Sequence, residues 1–274
     1  MKMNCLSTLG LMGAFLLVLP VSGQLVAPEP QPVVGARMPA LSPDGKQLAF
    51  TYRGDIWIAA ATGGRATALT SHIETDAYPL FSPDGQWVAF SSKRNGNWDI
   101  FAVPVAGGAA RQLTWNAGPE YPNGWSPDGR KLLFTGRRDT PNYSIYSLEV
   151  SSLRVELLGE DFAPLYHPNY SPDGGKVVYG RYGFHWTRPR YHGSAAQQIW
   201  VLDTATQERH PLATNDWQHL WTRFLPDGKH VVTVTVGEDT PSSSSLQETI
   251  APIIDNHSAR PTSGASTSRA GANR

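Results

Sequence analysis

Hydrolysis of a peptide or ester needs a nucleophile, a general base and an oxyanion site brought together. The 274-residue sequence has no Gly-x-Ser-x-Gly elbow and no His-Glu-x-x-His zinc helix. Its eight histidines, at 72, 167, 185, 192, 210, 219, 230 and 257, are scattered. The closest pair, His185 and His192, has no cysteine or carboxylate cluster at ligand spacing, so neither a metal nor a cofactor is expected. Two cationic segments remain. Gly136-Arg137-Arg138-Asp139 places two guanidinium forks side by side, and such forks bind carboxylates bidentately. Arg181 to Gln197 holds Arg181, His185, Arg188, Arg190 and His192 among Tyr182, Phe184, Trp186 and Tyr191, a composition suited to a peptide or protein partner. The plainer readings are a polar turn, since Lys93-Arg94 recurs at the equivalent place, and a loop packed over the fold.

The elements that position these segments come from a repeat, and repeats are sought first because they set the architecture. Ser-Pro-Asp-Gly occurs at Ser42, Ser82, Ser126 and Ser171, with a degenerate Leu225-Pro226-Asp227-Gly228. Its prolines, at 43, 83, 127, 172 and 226, are spaced by 40, 44, 45 and 54 residues, and a period of about 40–45 is that of a propeller blade. In each copy proline presets φ, aspartate bonds the neighbouring backbone and glycine takes positive φ. Asp44, Asp84, Asp128, Asp173 and Asp227 are therefore read as turn residues, not catalysts. A strand follows each turn (Gln47 to Thr51, Trp87 to Ser91, Lys131 to Thr135, Lys176 to Gly180, His230 to Val234). A third strand (Asp55 to Ala59, Asp99 to Val103, Ser144 to Leu148, Gln198 to Leu202) precedes a last one ending in Leu-Thr or a relative. Trp57, Trp98, Phe101, Tyr146 and Trp200 read as blade-packing aromatics. The expectation is an all-β fold, a β-propeller of four-stranded blades with about five present, as in an incomplete six-bladed propeller, followed by a disordered C-terminal tail.

Composition agrees. Twenty-six glycines, 22 prolines and only 17% charged residues suit short strands and tight turns. Lys plus Arg and Asp plus Glu number 23 each, so no basic surface supports a nucleic-acid partner.

The run SPDGxxLAF, then a turn, then DIW or DIF, then GG and LT, resembles the WD40-like repeat of translocation-protein B, of prolyl-oligopeptidase-type propellers and of tricorn peptidases. MPALSPDGKQLAFTYRGDIWIA (38–59), HIETDAYPLFSPDGQWVAFSSKRNGNWDIFAVPVAGGAARQLT (72–114) and RPRYHGSAAQQIWVLDTATQERHPL (188–212) look like blades of the N-terminal propeller of tricorn-type peptidases, a likeness covering roughly 36–236. The resemblance implies a non-catalytic module that gates or binds peptides for a peptidase core. Alternatively, it implies a periplasmic protein-interaction scaffold like translocation-protein B. It also implies that Arg137 and Arg138 anchor a substrate carboxylate. The second propeller, PDZ domain and serine-peptidase core of that family find no counterpart after Val236.

Residues 1–23 read as a secretory signal: Lys2, an apolar run from Leu9 to Leu19, Pro20, and Val21-Ser22-Gly23 before cleavage at Gln24. That run is too short for a stable membrane span, so an exported protein, periplasmic or extracellular, is expected. Cys5, the only cysteine, lies ahead of the apolar run, which leaves the mature chain without disulfides or thiolates. The propeller is expected over 24–236. Residues 237–274 carry four consecutive serines (Ser242 to Ser245) and an apolar-poor end, the composition of a disordered tail. An aberrant, frame-shifted end is the alternative, because Pro261 to Arg274 can be back-translated in another frame into something like a blade strand.

Overall fold

The computed structural model describes residues 31–182, 193, 195–213, 218–236 and 247–252. The proposed signal, Arg188, Arg190 and His192 lie outside them. From Val33 onward the strands belong to one compact unit. The first blade is β1 (Arg37–Leu41), β2 (Gln47–Tyr52), β3 (Asp55–Ala60) and β4 (Thr67–Ala68). The second is β5 (Asp76–Phe81), β6 (Trp87–Ser92), β7 (Asp99–Pro104) and β8 (Arg111–Gln112). The third is β9 (Glu120–Trp125), β10 (Lys131–Gly136), β11 (Ser144–Glu149) and β12 (Arg154–Gly159). The fourth is β13 (Leu165–Tyr170), β14 (Lys176–Arg181), β15 (Gln198–Asp203) and β16 (Arg209–Ala213). The fifth is β17 (Gln218–Phe224), β18 (His230–Val236) and β19 (Gln247–Pro252). Among the described residues all pairings are antiparallel and sequential, giving four four-stranded sheets and one of three. Every described element is a strand, and the expected β-propeller architecture holds.

One boundary moves. Gln247–Pro252 falls in the segment read as a coreless tail, yet it pairs with β18 from Thr235↔Gln247 to His230↔Pro252. The serine run hides it, because the next apolar residues come only after that insertion. Backbone pairing to a free strand edge needs no repeat signature.

The second strands of the three middle blades are buried on both faces, and alternate residues go to opposite neighbours. Val88 and Phe90 pack with Ala49 and Ile56 of the first blade, while Ala89 packs with Leu132 and Phe134 of the third. Leu133 then packs with Val177 and Tyr179 of the fourth, and Val178 with Val231 of the fifth. This period-two, two-faced burial is what a radial stack of sheets requires. Ahead of the first turn, Leu41 remains 58% exposed.

The marker turns form a repeated hydrogen-bonded unit. Ser126 Oγ donates to Asp128 Oδ1 (2.6 Å) and accepts from the Lys131 amide (2.8 Å), while Asp128 Oδ1 accepts from the Arg130 amide (3.1 Å). The same triangle recurs at Ser42, Ser82 and Ser171. Leu225 has no hydroxyl, and there Asp227 Oδ1 takes both amides, of Lys229 (2.9 Å) and His230 (3.1 Å), with His230 Nδ1 2.6 Å from its other oxygen. The turn glycines also link blades. A Cβ on Gly129 or Gly174 would stand 3.8 Å from Pro83 Cδ or 3.4 Å from Pro127 Cδ, so each turn rests on the preceding one.

Four residues before the marker, Met38, Tyr78, His167 and Trp221 have φ between 52° and 59°, each at a register shift in its inner strand. The third blade has Pro122 there, whose ring fixes φ negative, and its shift moves to face Asn123. The Leu-Thr ending has its own reason. Thr70 and Thr114 hydroxyls accept from the Ile56 and Ile100 amides (3.0 and 2.9 Å), replacing a backbone rung after two-residue fourth strands. Where Leu157-Leu158 and Leu212-Ala213 stand instead, backbone pairing continues to Gly159 and Ala213.

Replacing Ser126 by Ala should destabilise the chain by about 1 kcal/mol, read from denaturant midpoints, because the Lys131 amide loses its acceptor. The equivalent Leu225→Ala change should leave the fifth turn's hydrogen bonds intact. Acid should act on the same units. Their serine hydroxyls, or His230 in the fifth blade, hold the five turn aspartates below the ordinary value of 3.8. A depressed carboxylate stabilises fully above its unfolded value and loses that contribution as pH falls through the lower folded one. Unfolding titrations should therefore show the turn contribution disappearing only below about pH 4.

Candidate functional site

The face opposite the marker turns carries the loops between second and third strands. It is stitched between blades by one recurring hydrogen bond. The amide six residues before each marker donates to the carbonyl just ahead of the preceding blade's third strand: Asp76 to Gly54 (2.7 Å), Glu120 to Trp98 (2.8 Å), Leu165 to Tyr143 (2.8 Å) and His219 to Gln197 (3.0 Å). The residue after that amide is Ala77, Tyr121, Tyr166 or Leu220. In the middle blades the bond thus brings Trp98 to Tyr121 and Tyr143 to Tyr166.

The result is a continuous row of half-exposed rings. Tyr78 lies 4.9 Å from Tyr121 and 6.1 Å from Trp98, Tyr121 lies 6.1 Å from Tyr143, and Tyr143 lies 5.8 Å from Tyr166, which neighbours His167 at 6.2 Å. Lys93 Nζ sits 4.9 Å above Trp98, and the Arg137 guanidinium 4.9 Å above Tyr143. Burial, with the neighbouring phenols second, pushes the Tyr78, Tyr121 and Tyr166 hydroxyls above their ordinary value of 10.0, so they stay neutral donors. Ring faces, phenolic hydroxyls and two cations can stack on and hydrogen-bond an extended polypeptide.

The two arginines expected to act together are separated by their roles. Arg137 is exposed on the row. Arg138 is taken up by Glu120, Nη1 to Oε1 at 2.5 Å, with the carboxylate fully buried and the arginine side chain 20% exposed. Its guanidinium also lies over Tyr146. The second blade repeats the arrangement with Arg94, Asp76 (2.8 Å) and Phe101. The fourth uses Arg181, Asp161 (2.7 Å) and Trp200. Arg138 is thus a blade-packing cation, as Lys93-Arg94 foreshadows. Its partner stands 18 residues earlier, where no local pattern reveals it. Burial raises the Glu120 carboxyl above its ordinary value, outweighing the hydrogen bonds from Thr114 and Arg138.

Tyr121, Tyr143 and Tyr166 escape a reading taken blade by blade. Superposing the repeats by phase would show them, because Trp98 and Tyr143 share one position and Tyr121 and Tyr166 another. The five turn aspartates lie on the opposite side, as expected of turn residues. A cleft of about 540 Å³ there, between the second and third blades, is lined by Trp87, Arg111, Leu113, Trp125 and Val150 among others. Among the described residues, no three His, Cys, Asp or Glu are grouped to hold a metal, and no helix is long and apolar enough to cross a membrane.

Glu120→Ala leaves Arg138 buried without its counter-charge and should cost about 3 kcal/mol. Adding Arg138→Met should restore much of that loss in equilibrium unfolding, whereas independent effects would simply add.

Comparison with known proteins fits this geometry. The model of the tricorn protease N-terminal β-propeller domain matches residues 35–229. Tricorn protease homolog 1 of Streptomyces coelicolor is 32% identical over 182 residues, covering 62% of this chain and 16% of that protein. The chain therefore spans about a sixth of that relative's length. The structure of a putative TolB from Agrobacterium tumefaciens aligns with TM-score 0.66 at 26% identity, over 80% of this chain and 77% of that one. The tricorn protease crystal structure shares the fold at TM-score 0.56 and 16% identity, over 90% of this chain and 25% of that one. The chain belongs to the tricorn protease N-terminal β-propeller family.

Proposed function

We propose that this chain is a non-catalytic propeller module that binds polypeptide along the row from Tyr78 to Tyr166, with Arg137 as its exposed cation. Its task is to guide or gate peptides for a peptidase core that these residues do not supply. It works outside the cytoplasm, periplasmic or extracellular, after removal of residues 1–23. The observation that carries this reading is the row itself, a run of half-exposed aromatics crossing three blades with Lys93 and Arg137 over its rings. The kinship with tricorn protease homologues supports the peptidase context. The likeness to a putative TolB favours a second reading, a scaffold that holds a folded envelope protein on the same face. In either reading Arg188, Arg190 and His192 are expected to add contacts to the bound polypeptide or partner.

The test uses the purified chain and a set of unstructured decapeptides, with binding followed by tryptophan fluorescence. Peptides should bind and be recovered uncut. Tyr121→Ala with Tyr143→Ala should weaken binding ten-fold or more, since stacking on two rings is lost, while the melting temperature changes little. Unchanged affinity would remove the row from the site. Binding of a folded envelope partner without peptide binding would establish the scaffold instead.

A further inference from the structure

The face that carries the row spends many of its acceptors on itself. The carbonyls of Thr75, Lys93, Trp98, Pro119, Arg137 and Tyr143 each accept a hydrogen bond from within the chain, at 2.8–3.3 Å. The buried carboxylates of Asp76 and Glu120 are taken by Arg94 and Arg138. What the row keeps for a ligand is mainly donors: the phenolic hydroxyls of Tyr78, Tyr121, Tyr143 and Tyr166, the Lys93 ammonium over Trp98 and the Arg137 guanidinium over Tyr143. A polypeptide laid on such a surface has its carbonyls met and its N–H groups left wanting, and an unmet N–H withdrawn from water is costly. Proline has no N–H. In the polyproline II helix the backbone makes no internal hydrogen bonds, so every carbonyl is free to accept.

The rings add a shape. Successive planes from Tyr78 through Tyr121 and Tyr143 to Tyr166 are turned by 63°, 47° and 44°. Trp98 is turned by 81° from Tyr78 and by 49° from Tyr121. None of these neighbours lie parallel, so the row is a set of ridges with furrows between them and not one flat platform. A flat platform suits planar groups, whereas a furrow between tilted rings accepts the puckered ring of a proline, and aromatic-lined grooves dock polyproline II segments. That helix repeats every three residues with a rise of about 3.1 Å each, so prolines on one side recur about every 9 Å. The ring centroids step by 4.9, 6.1 and 5.8 Å, and two successive steps can span that repeat.

We propose that the row selects proline-rich polypeptide in the polyproline II conformation, seating proline rings between its tilted aromatic rings and donating from the tyrosine hydroxyls, Lys93 and Arg137 to the ligand's carbonyls. This names the ligand class of the site, and it rests on the reading of the row as a polypeptide site.

Three uncharged decapeptides, acetylated and amidated, test the proposal on the purified chain: one of repeating Ala-Pro-Pro, its mirror image built from D-residues, and one of mixed serine and glycine. The L-proline peptide should bind ten-fold or more tighter than either of the others, because the mirror peptide has the same composition and the opposite helix hand. Tyr121→Ala with Tyr143→Ala should abolish that preference. Tyr121→Phe with Tyr166→Phe keeps the rings and removes two donors, and it should weaken the L-proline peptide about three-fold or more. If the serine and glycine peptide binds as tightly as the L-proline one, the row remains a polypeptide site and the ligand class is wrong. Equal binding of the mirror peptide would overturn the conformational selection, and unchanged affinity in the Phe variant would overturn the pairing of hydroxyls with carbonyls. A preference that survives the loss of Tyr121 and Tyr143 would place it elsewhere on the chain. Should none of the three bind, the reading of the row and the proposal built on it fall together.

Discussion

A serine hydroxyl placed between an aspartate and a backbone amide fixes one side of this molecule. In four blades Ser Oγ donates to the turn aspartate and accepts from the amide five residues on, closing the hairpin between inner and second strands. That hairpin sets the register of the second strand, and the register decides which of its side chains meet which neighbouring blade. A slip of one residue would exchange Ala89 with Val88 and Phe90 and put a small residue where two aromatics interlock. The turn thus acts beyond its own four residues, and the contact of each turn glycine with the preceding turn proline extends the ordering from blade to blade.

The opposite side is joined differently. One backbone hydrogen bond per blade junction ties the start of an inner strand to the chain before the previous third strand. The residues flanking that bond are not prescribed by it. They are Gly54 and Ala77 at the first junction, Trp98 and Tyr121 at the second, Tyr143 and Tyr166 at the third, and Gln197 and Leu220 at the fourth. Backbone geometry therefore repeats while side-chain chemistry varies, which is the condition for a binding surface on a repeat scaffold. The aromatic row exists because two successive junctions both chose rings.

This division explains what could be read in the sequence. The Ser-Pro-Asp-Gly spacing carries blade number, strand order and the turn role of the five aspartates, because all of these follow from contacts within six residues. The charged site residues do not follow from local contacts. Arg138 looks free beside Arg137 until Glu120, from the preceding inter-blade segment, reaches it. Trp98, read as packing, does pack, yet its ring also starts the row with Tyr78 and Tyr121. The strand Gln247–Pro252 was hidden for another reason: the serine run stands between it and β18, with which it pairs.

The same logic orders the arginines. A guanidinium inside a blade is tolerable when a carboxylate shares its burial, and Asp76, Glu120 and Asp161 do so for Arg94, Arg138 and Arg181. Those pairs close upon themselves and leave little to offer a ligand. Cations with unspent capacity are therefore the ones outside the rule: Lys93, exposed over Trp98, and Arg137, exposed over Tyr143. They stand over two rings of one aromatic row that reaches from Tyr78 to Tyr166. A polypeptide lying along the rings, as proposed, would meet solvent-screened charges at Lys93 and Arg137. Coulombic attraction weakens where water screens the charge, so on the proposed reading the rings would supply most of the binding and the exposed cations would orient the chain.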